Sequence, residues 1–216
     1  MSDTWWLAKS LLGLAFVSHN REDAERATEP YEESMDLFRE WGDKQSLSMC
    51  LGSLAMLVYS KGDLRRATKL TEEAVALIRD LGNRGGVSLG LYNLGWMALL
   101  QDDLGKAAEI FRGSLAPPWD LGLNIGVQGA LEGFASVAGA RGNAKRAARL
   151  WGAAQTLHET KNIPRDTDFL AEADARISAV RSGMREEAWE EAQHKGRTMT
   201  LDEAVSYALE DEEAGG

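Results

Sequence analysis

The side chains able to do covalent or metal chemistry are few and badly placed for it. The 216-residue chain has three histidines, His19, His158 and His194, and none stands in an HxxxH or HExxH pattern. Such a pattern would put two imidazoles on one helix face around a metal. Cys50 is the only cysteine; it cannot close an internal disulfide, and its place beside the apolar Leu51 predicts an inert, buried thiol. The acid pairs Glu32–Glu33, Asp102–Asp103 and Glu186–Glu187 are adjacent in sequence, so on a helix their carboxylates diverge by about 100°. A general acid and base must instead face one reacting atom. No GxxxxGK[ST] phosphate loop occurs. The residues therefore predict no enzyme, no metal and no cofactor. What remains is non-covalent binding by apolar and aromatic side chains, and that depends on the helices that carry them.

Charge and composition narrow the partners. With 24 Lys+Arg against 34 Asp+Glu the net charge is −10, the wrong sign for a nucleic-acid surface that must neutralise phosphates. The basic pairs Arg65–Arg66 and Lys145–Arg146 sit near helix starts among acidic neighbours and read as solvated faces. No stretch approaches the roughly 18 apolar residues of a membrane helix. Trp5 and Trp6 are not set in a charged-then-apolar signal layout, and a lone cysteine fits a reducing compartment, so the expected address is the cytoplasm.

The elements follow from an internal repeat. Leu91–Ala107 matches Leu51–Ala67 and Leu11–Ala27 at successive steps of forty residues, and Leu131–Ala147 forty residues later. Leu11, Leu51, Leu91 and Leu131 share one column; Leu14, Leu54, Leu94 and Phe134 another; Ala15, Ala55, Gly95 and Ala135 a third. These fall on one face of a helix by 3.6-residue spacing. A turn follows, then Asp23, Asp63, Asp103 or Asn143 as the N-cap of a second helix. That helix carries Ala27, Tyr31 and Ser34 on its inner face, and in later copies Ala67, Thr71 and Ala74; Ala107, Phe111 and Ser114; Ala147, Trp151 and Ala154. It should stop at Gly42, Gly82, Gly122 and Asn162, residue types suited to a left-handed C′ position.

These residues resemble the tetratricopeptide repeat (TPR): Leu, two residues, Leu, a small residue, a turn, then Ala, an aromatic and a small residue. The separation of the two small positions, Ala55 to Ala67, is also that family's. The period is forty rather than the family's usual length, and the terminal proline is missing at Arg39, Arg79, Trp119 and Glu159. This long form is similar to the arrays of bacterial signal-transduction ATPases and LuxR-type regulators, and the similarity runs from Leu7 to Ile163. It implies an all-α, right-handed TPR superhelix of four helix pairs, at about 4–43, 44–83, 84–123 and 124–163, closed by a cap.

After Pro164 the period stops. Three shorter helices are expected at Asp166–Ser182, Met184–Lys195 and Thr200–Glu210, forming a C-terminal cap over 164–210 before a frayed acidic tail at 211–216. Thr200 and Glu203 form a capping box, and Phe169, Ile177, Val180, Trp189 and Leu201 could cover the last repeat. Pro30 should kink one second helix, and Pro117–Pro118 should break another. The runs AARLWGAAQTLHE and EEAWEEAQHKGRTMTLDEAVSYAL resemble the C-terminal end of large ATPase-type regulators. That resemblance implies an attached ATPase module, absent from this chain, and a role as the interaction or sensor part of a transcriptional or signalling regulator.

Opposite the core stripe, the first helices carry a second stripe. Its members are Lys9, Leu12, Phe16 and His19; Met49, Met56 and Tyr59; and Leu89, Tyr92, Asn93, Trp96 and Leu99, with Gly129, Glu132, Ser136 and Gly139 in the fourth copy. In the family that this chain resembles these positions line the concave groove. A helix apolar on both faces is buried on both, and several coverings are open. The stripe could pack on itself or under the C-terminal helices, or receive a protein or peptide partner on its aromatic and methionine anchors. It could instead form a small-molecule effector pocket fixed by Tyr92 and Asn93, or serve self-association into a homo-oligomer. A carboxylate clamp needs Lys, Asn and Arg here, where this chain has mostly Leu, Met, Phe and Tyr.

Overall fold

In the computed structural model, residues 3–20, 24–115, 124–161 and 169–210 are described, and within them the chain forms α-helices and no strand. The order is α1 (Asp3–Asn20), α2 (Ala24–Trp41), α3 (Lys44–Ser60), α4 (Leu64–Asp80), α5 (Arg84–Leu100), α6 (Leu104–Ser114), α7 (Asn124–Ala140), α8 (Ala144–Lys161), α9 (Leu170–Ser182), α10 (Glu186–Arg197) and α11 (Leu201–Leu209). The second helices α2, α4, α6 and α8 each begin forty residues after the last. The chain divides into two compact units, Met1–Gly90 and Leu91–Gly216.

In the first unit the helix ends are set by side chains with a definite job. Gly42 and Gly82 take φ of +68° and +69°, as expected for the residue that reverses the chain after a second helix. Gly42 N–H donates to Arg39 O at 3.2 Å and Asp43 N–H to Phe38 O at 3.1 Å, the paired bonds of a Schellman ending that satisfies the last carbonyls. Gly122 and Asn162 lie outside the described residues, as do Asp23 and Pro117–Pro118. The next helix is then capped at once. Asp43 accepts from Ser46 N–H at 3.0 Å, Asn83 from Gly86 N–H at 2.9 Å, and Asp63 from Arg66 N–H at 3.0 Å. The repeat columns predict caps for the second helices alone; Asp43 and Asn83 do the same for first helices.

Pairing in this unit rests on small residues. Ala8, Ala15 and Ala27 have no exposed surface, nor do Ala55 and Ala67, so the helices of a pair approach closely. Ser34 Oγ donates to Ala8 O at 2.8 Å and Cys50 Sγ to Tyr31 O at 3.1 Å, which ties α2 to α1 on one side and to α3 on the other. Helix α2 runs on through Pro30. One expectation fails here. Leu54 is fully buried, whereas its counterpart Leu14 is 55% exposed; α3 has a preceding helix, α2, packed against it, and α1 has none among the described residues.

The second unit is built around aromatic rings set into glycine gaps. Trp96, Phe111 and Phe169 are essentially unexposed. Trp96 stacks on Phe169 at 5.9 Å with planes 8° apart, and meets Phe111 edge-on at 6.1 Å. An added Cβ at Gly95 or Gly133 would strike the Phe111 ring, and one at Gly129 would strike Tyr92. At α8–α10 the fit is backbone on backbone: a Cβ at Gly152 would collide with Gln193 O, and one at Gly196 with Arg149 O. Gln193 Nε2 donates to Gln155 Oε1 at 2.7 Å across this contact, and Arg197 pairs with Glu159 at 2.6 Å. Helix α9 packs on α7 and α8, and α11 on α8 and α7. Of the residues expected to cover the last pair, Phe169, Ile177 and Trp189 are buried, and Val180 and Leu201 half-buried. The capping box on Thr200 and Glu203 is formed.

Two outcomes follow for stability. Gly152→Ala should cost about 1–3 kcal/mol by overpacking a backbone contact, whereas Gly52→Ala, in open space on α3, should add about 0.5–1 kcal/mol through helix propensity; urea titrations of both variants check the pair. Partial burial pushes the Asp43 carboxyl up, but the Ser46 amide and hydroxyl, the Trp5 indole and the Lys9 charge outweigh it and hold the pKa below the ordinary aspartate value. A lowered folded pKa stabilises the fold above the ordinary value, and that part is lost as pH falls through the lowered one. Asp43→Ala should therefore cost about 1 kcal/mol at neutral pH. Its gap to the parent chain should narrow as pH falls through that lowered pKa, as the carboxyl protonates in the folded parent too.

Candidate functional site

The second stripe is found in two different conditions. In the first unit it is largely open. Phe16 is 58% exposed, Met49 56% and Leu89 44%, while Leu12, Met56 and Tyr59 are half-buried. Met49 and Leu89 share one column of the repeat, and Phe16 stands two turns further along the column of the half-buried Met56. Surfaces of this type adapt to an apolar partner, since methionine and phenylalanine offer large contact area at low desolvation cost. Lys9 is not a free cation on this face: its Nζ donates to Ser46 Oγ at 2.6 Å and lies over the rings of Trp5 and Phe38 at 5.1 and 5.2 Å. The side chain of His19 lies outside the described residues.

In the second unit the same stripe is covered. Tyr92 is 2% exposed, and Trp96 and Leu99 are fully buried; Asn93 is half-buried. The cover is Phe169, just before α9, which stacks on Trp96 and meets Tyr92 edge-on at 5.9 Å. Arg176 of α9 donates to Leu99 O at 3.3 Å. Tyr92, Trp96 and Leu99 are therefore core side chains rather than an open groove, for the physical reason that a helix from outside the repeat lies on them. In the fourth copy Gly129, Glu132 and Ser136 are buried, with Gln128 Nε2 donating to Glu132 Oε1 at 3.1 Å. The effector pocket that Tyr92 and Asn93 would have anchored loses its first fixing point.

One residue departs from its sequence reading. Arg146, a solvated side chain by its neighbours, is only 7% exposed. Its guanidinium donates to the carbonyls of Tyr207 at 2.8 Å, Ala208 at 3.2 Å and Glu210 at 2.9 Å, and lies 4.7 Å from the Tyr207 ring centre. Arg112 adds a bond to Leu209 O at 3.1 Å. Unpaired carbonyls and the negative end of the dipole at the C-terminus of α11 account for this. No signal in the column reveals it, because Arg66 and Lys106 in the same register are exposed.

The single thiol is held in an unreactive state. Burial pushes the Cys50 thiol up to about 11, against the smaller pull of the Ser34 hydroxyl, so the thiolate is scarce at neutral pH. Among the described residues no group of three or more His, Cys, Asp or Glu could hold a metal ion, and no helix is long and apolar enough to cross a membrane. An open cavity of about 450 Å³ lies beside α11, but Glu203 at its edge is committed to Thr200 N–H and Oγ1 at 2.8 and 3.0 Å.

No protein-family model matches the chain, and no curated protein matches it in sequence. Solved structures do match in fold. The nearly identical TPR-like repeats of a kinesin light chain candidate from Podosopora anserina superpose with a TM-score of 0.59 at 15% identity, covering 96% of this chain and 97% of that one. A variant form of the same repeats gives 0.60 at 15% identity, over 91% and 95%. BtubC (BKLC) from P. vanneervenii gives 0.65 at 17% identity, over 94% of this chain and 80% of that one. At such identities the likeness is one of fold, and this all-α chain has the fold of a TPR-like helical repeat array.

Proposed function

We propose that this chain is a non-enzymatic scaffold that binds a protein or peptide partner on the open first-helix face of its N-terminal unit. The observation that carries the reading is the exposure of Phe16, Met49 and Leu89 in columns whose later members are buried. Large apolar side chains exposed on successive first helices are the kind of feature that interaction sites present. TPR-like arrays are generally protein-interaction scaffolds, which supports the coarse reading. The finer part of the proposal is that the scaffold serves a bacterial transcriptional or signalling regulator, with an ATPase module as the attached or associated component. Its support is the resemblance of Ala147–Glu159 and Glu186–Leu209 to the C-terminal ends of such regulators.

The two halves of the stripe should respond differently to substitution. Phe16→Asp with Met49→Asp should leave the melting temperature within about 2 °C, because exposed side chains contribute little to stability. Trp96→Ala should cost about 3–5 kcal/mol. Apolar peptides selected from a displayed library on the parent chain should lose at least about tenfold in affinity for the Phe16/Met49 variant, equivalent to about 1.4 kcal/mol. Peptides that bind both chains equally would place the binding face elsewhere.

A further inference from the structure

Helix α3 sets two sulfur atoms side by side in opposite surroundings. Met49 is 56% exposed on the open first-helix face, whereas Cys50 has no exposed surface. Consecutive residues on a helix point about 100° apart, and here that rotation carries one sulfur into water and the other into the contact with α2. Cys50 Sγ donates to Tyr31 O at 3.1 Å, and burial pushes its thiol up to about 11. The thiolate that would attack a peroxide is therefore scarce at neutral pH. A thioether has no proton to lose, so access to the sulfur decides its oxidation instead.

The other described methionines are better covered. Met97 has no exposed surface, and Met35, Met56, Met184 and Met199 are half-buried. Around Met49 the surroundings are open, and an added Cβ at Gly52, one turn on, would meet nothing within 4 Å. Hydrogen peroxide therefore reaches Met49 with the chain fully folded. The sulfur lone pair attacks one peroxide oxygen and the O–O bond breaks. A proton passes to the leaving hydroxide and water departs, with the sulfur oxidised and the peroxide reduced. The product exchanges an apolar, flexible side chain for a polar one carrying an S=O acceptor. In water that change costs the fold little. Beneath an apolar partner the same oxygen would be buried without a donor, which is costly.

We infer that Met49 is a peroxide-sensitive site, and that its conversion to the sulfoxide turns off the partner-binding face. The inference rests on the reading of that face proposed above. Graded hydrogen peroxide on the intact chain, read by peptide mass mapping, should add one oxygen at Met49 before any other described methionine, with Cys50 still a free thiol. The melting profile of the singly oxidised chain should match that of the parent. Apolar peptides selected on the parent chain should bind the oxidised chain about tenfold more weakly, and methionine sulfoxide reductase should restore their binding. Met49→Leu should bind those peptides as the parent does and lose no affinity under peroxide, while Phe16→Asp reports on the face itself. Three results would overturn the inference and leave the partner face standing: another methionine oxidised first, a peroxide-induced loss that persists in Met49→Leu, or full affinity after oxidation where Phe16→Asp loses it. Peptides indifferent both to oxidation and to Phe16→Asp would overturn the two together.

Discussion

The constraint behind this structure is that a helix pair cannot bury both of its apolar sides by itself. Pairing α1 with α2 hides Ala8, Ala15 and Ala27, yet the stripe through Leu14 needs something from outside the pair. Nearest-neighbour sealing is the energetic logic of repeat arrays. In the first unit α2 seals α3, and the consequence at the near end is a set of large side chains in water. In the second unit α9, α10 and α11 supply cover that no further repeat provides, with Phe169, Ile177 and Trp189 turned inward. Exposure in this chain thus follows position in the series rather than residue type.

Close approach is the second condition, and glycine meets it around two interior rings, Phe111 and Tyr92. In the third column of the repeat, Ala15, Ala55 and Ala135 become Gly95 in the copy whose inner second-helix residue is Phe111. Gly133 makes room for the other side of the same ring, and Gly129 for Tyr92. Loss of a methyl on one helix is matched by gain of a ring on its neighbour, which keeps the interior filled at ordinary density. At α8–α10 the same exchange goes further, because Gly152 and Gly196 face backbone rather than ring. Side chains there would hold the helices apart and break the bonds of Gln193 and Arg197 to α8.

Much of this is readable from residue spacing, since a forty-residue period repeats the same local physics in each copy. The caps at Asp63, Asp103 and Asn143, the left-handed Gly42 and Gly82, and the buried Ala67, Phe111 and Trp151 are all of this kind. What escapes is decided by contacts between elements far apart in sequence. Phe16 and Trp96 occupy one column, yet one is open and the other buried, because Phe169 enters from beyond the period. Arg66 and Arg146 share another, and only Arg146 meets the end of α11. Leu14 reads as core by its column and lacks only a neighbour. The binding face is legible as a stripe, but its division into covered and open halves is not.

Several interior polar groups among the described residues are committed to hydrogen bonds within the fold. Ser34 serves Ala8 O, Cys50 serves Tyr31 O, Thr71 serves Ala67 O, Ser114 serves Gly126 O and Ser136 serves Glu132 O. Arg146, a buried cation, is bound to three carbonyls. Each of these gives a buried side-chain donor an acceptor that burial would otherwise deny it, and a group so committed is not free to polarise a substrate. Changing one would therefore be read first as lost stability. Phe16, Met49, Leu14 and Val17 stand in the opposite position: their exposure means the fold gains little from them, so a change at those sites is read first in binding rather than in stability.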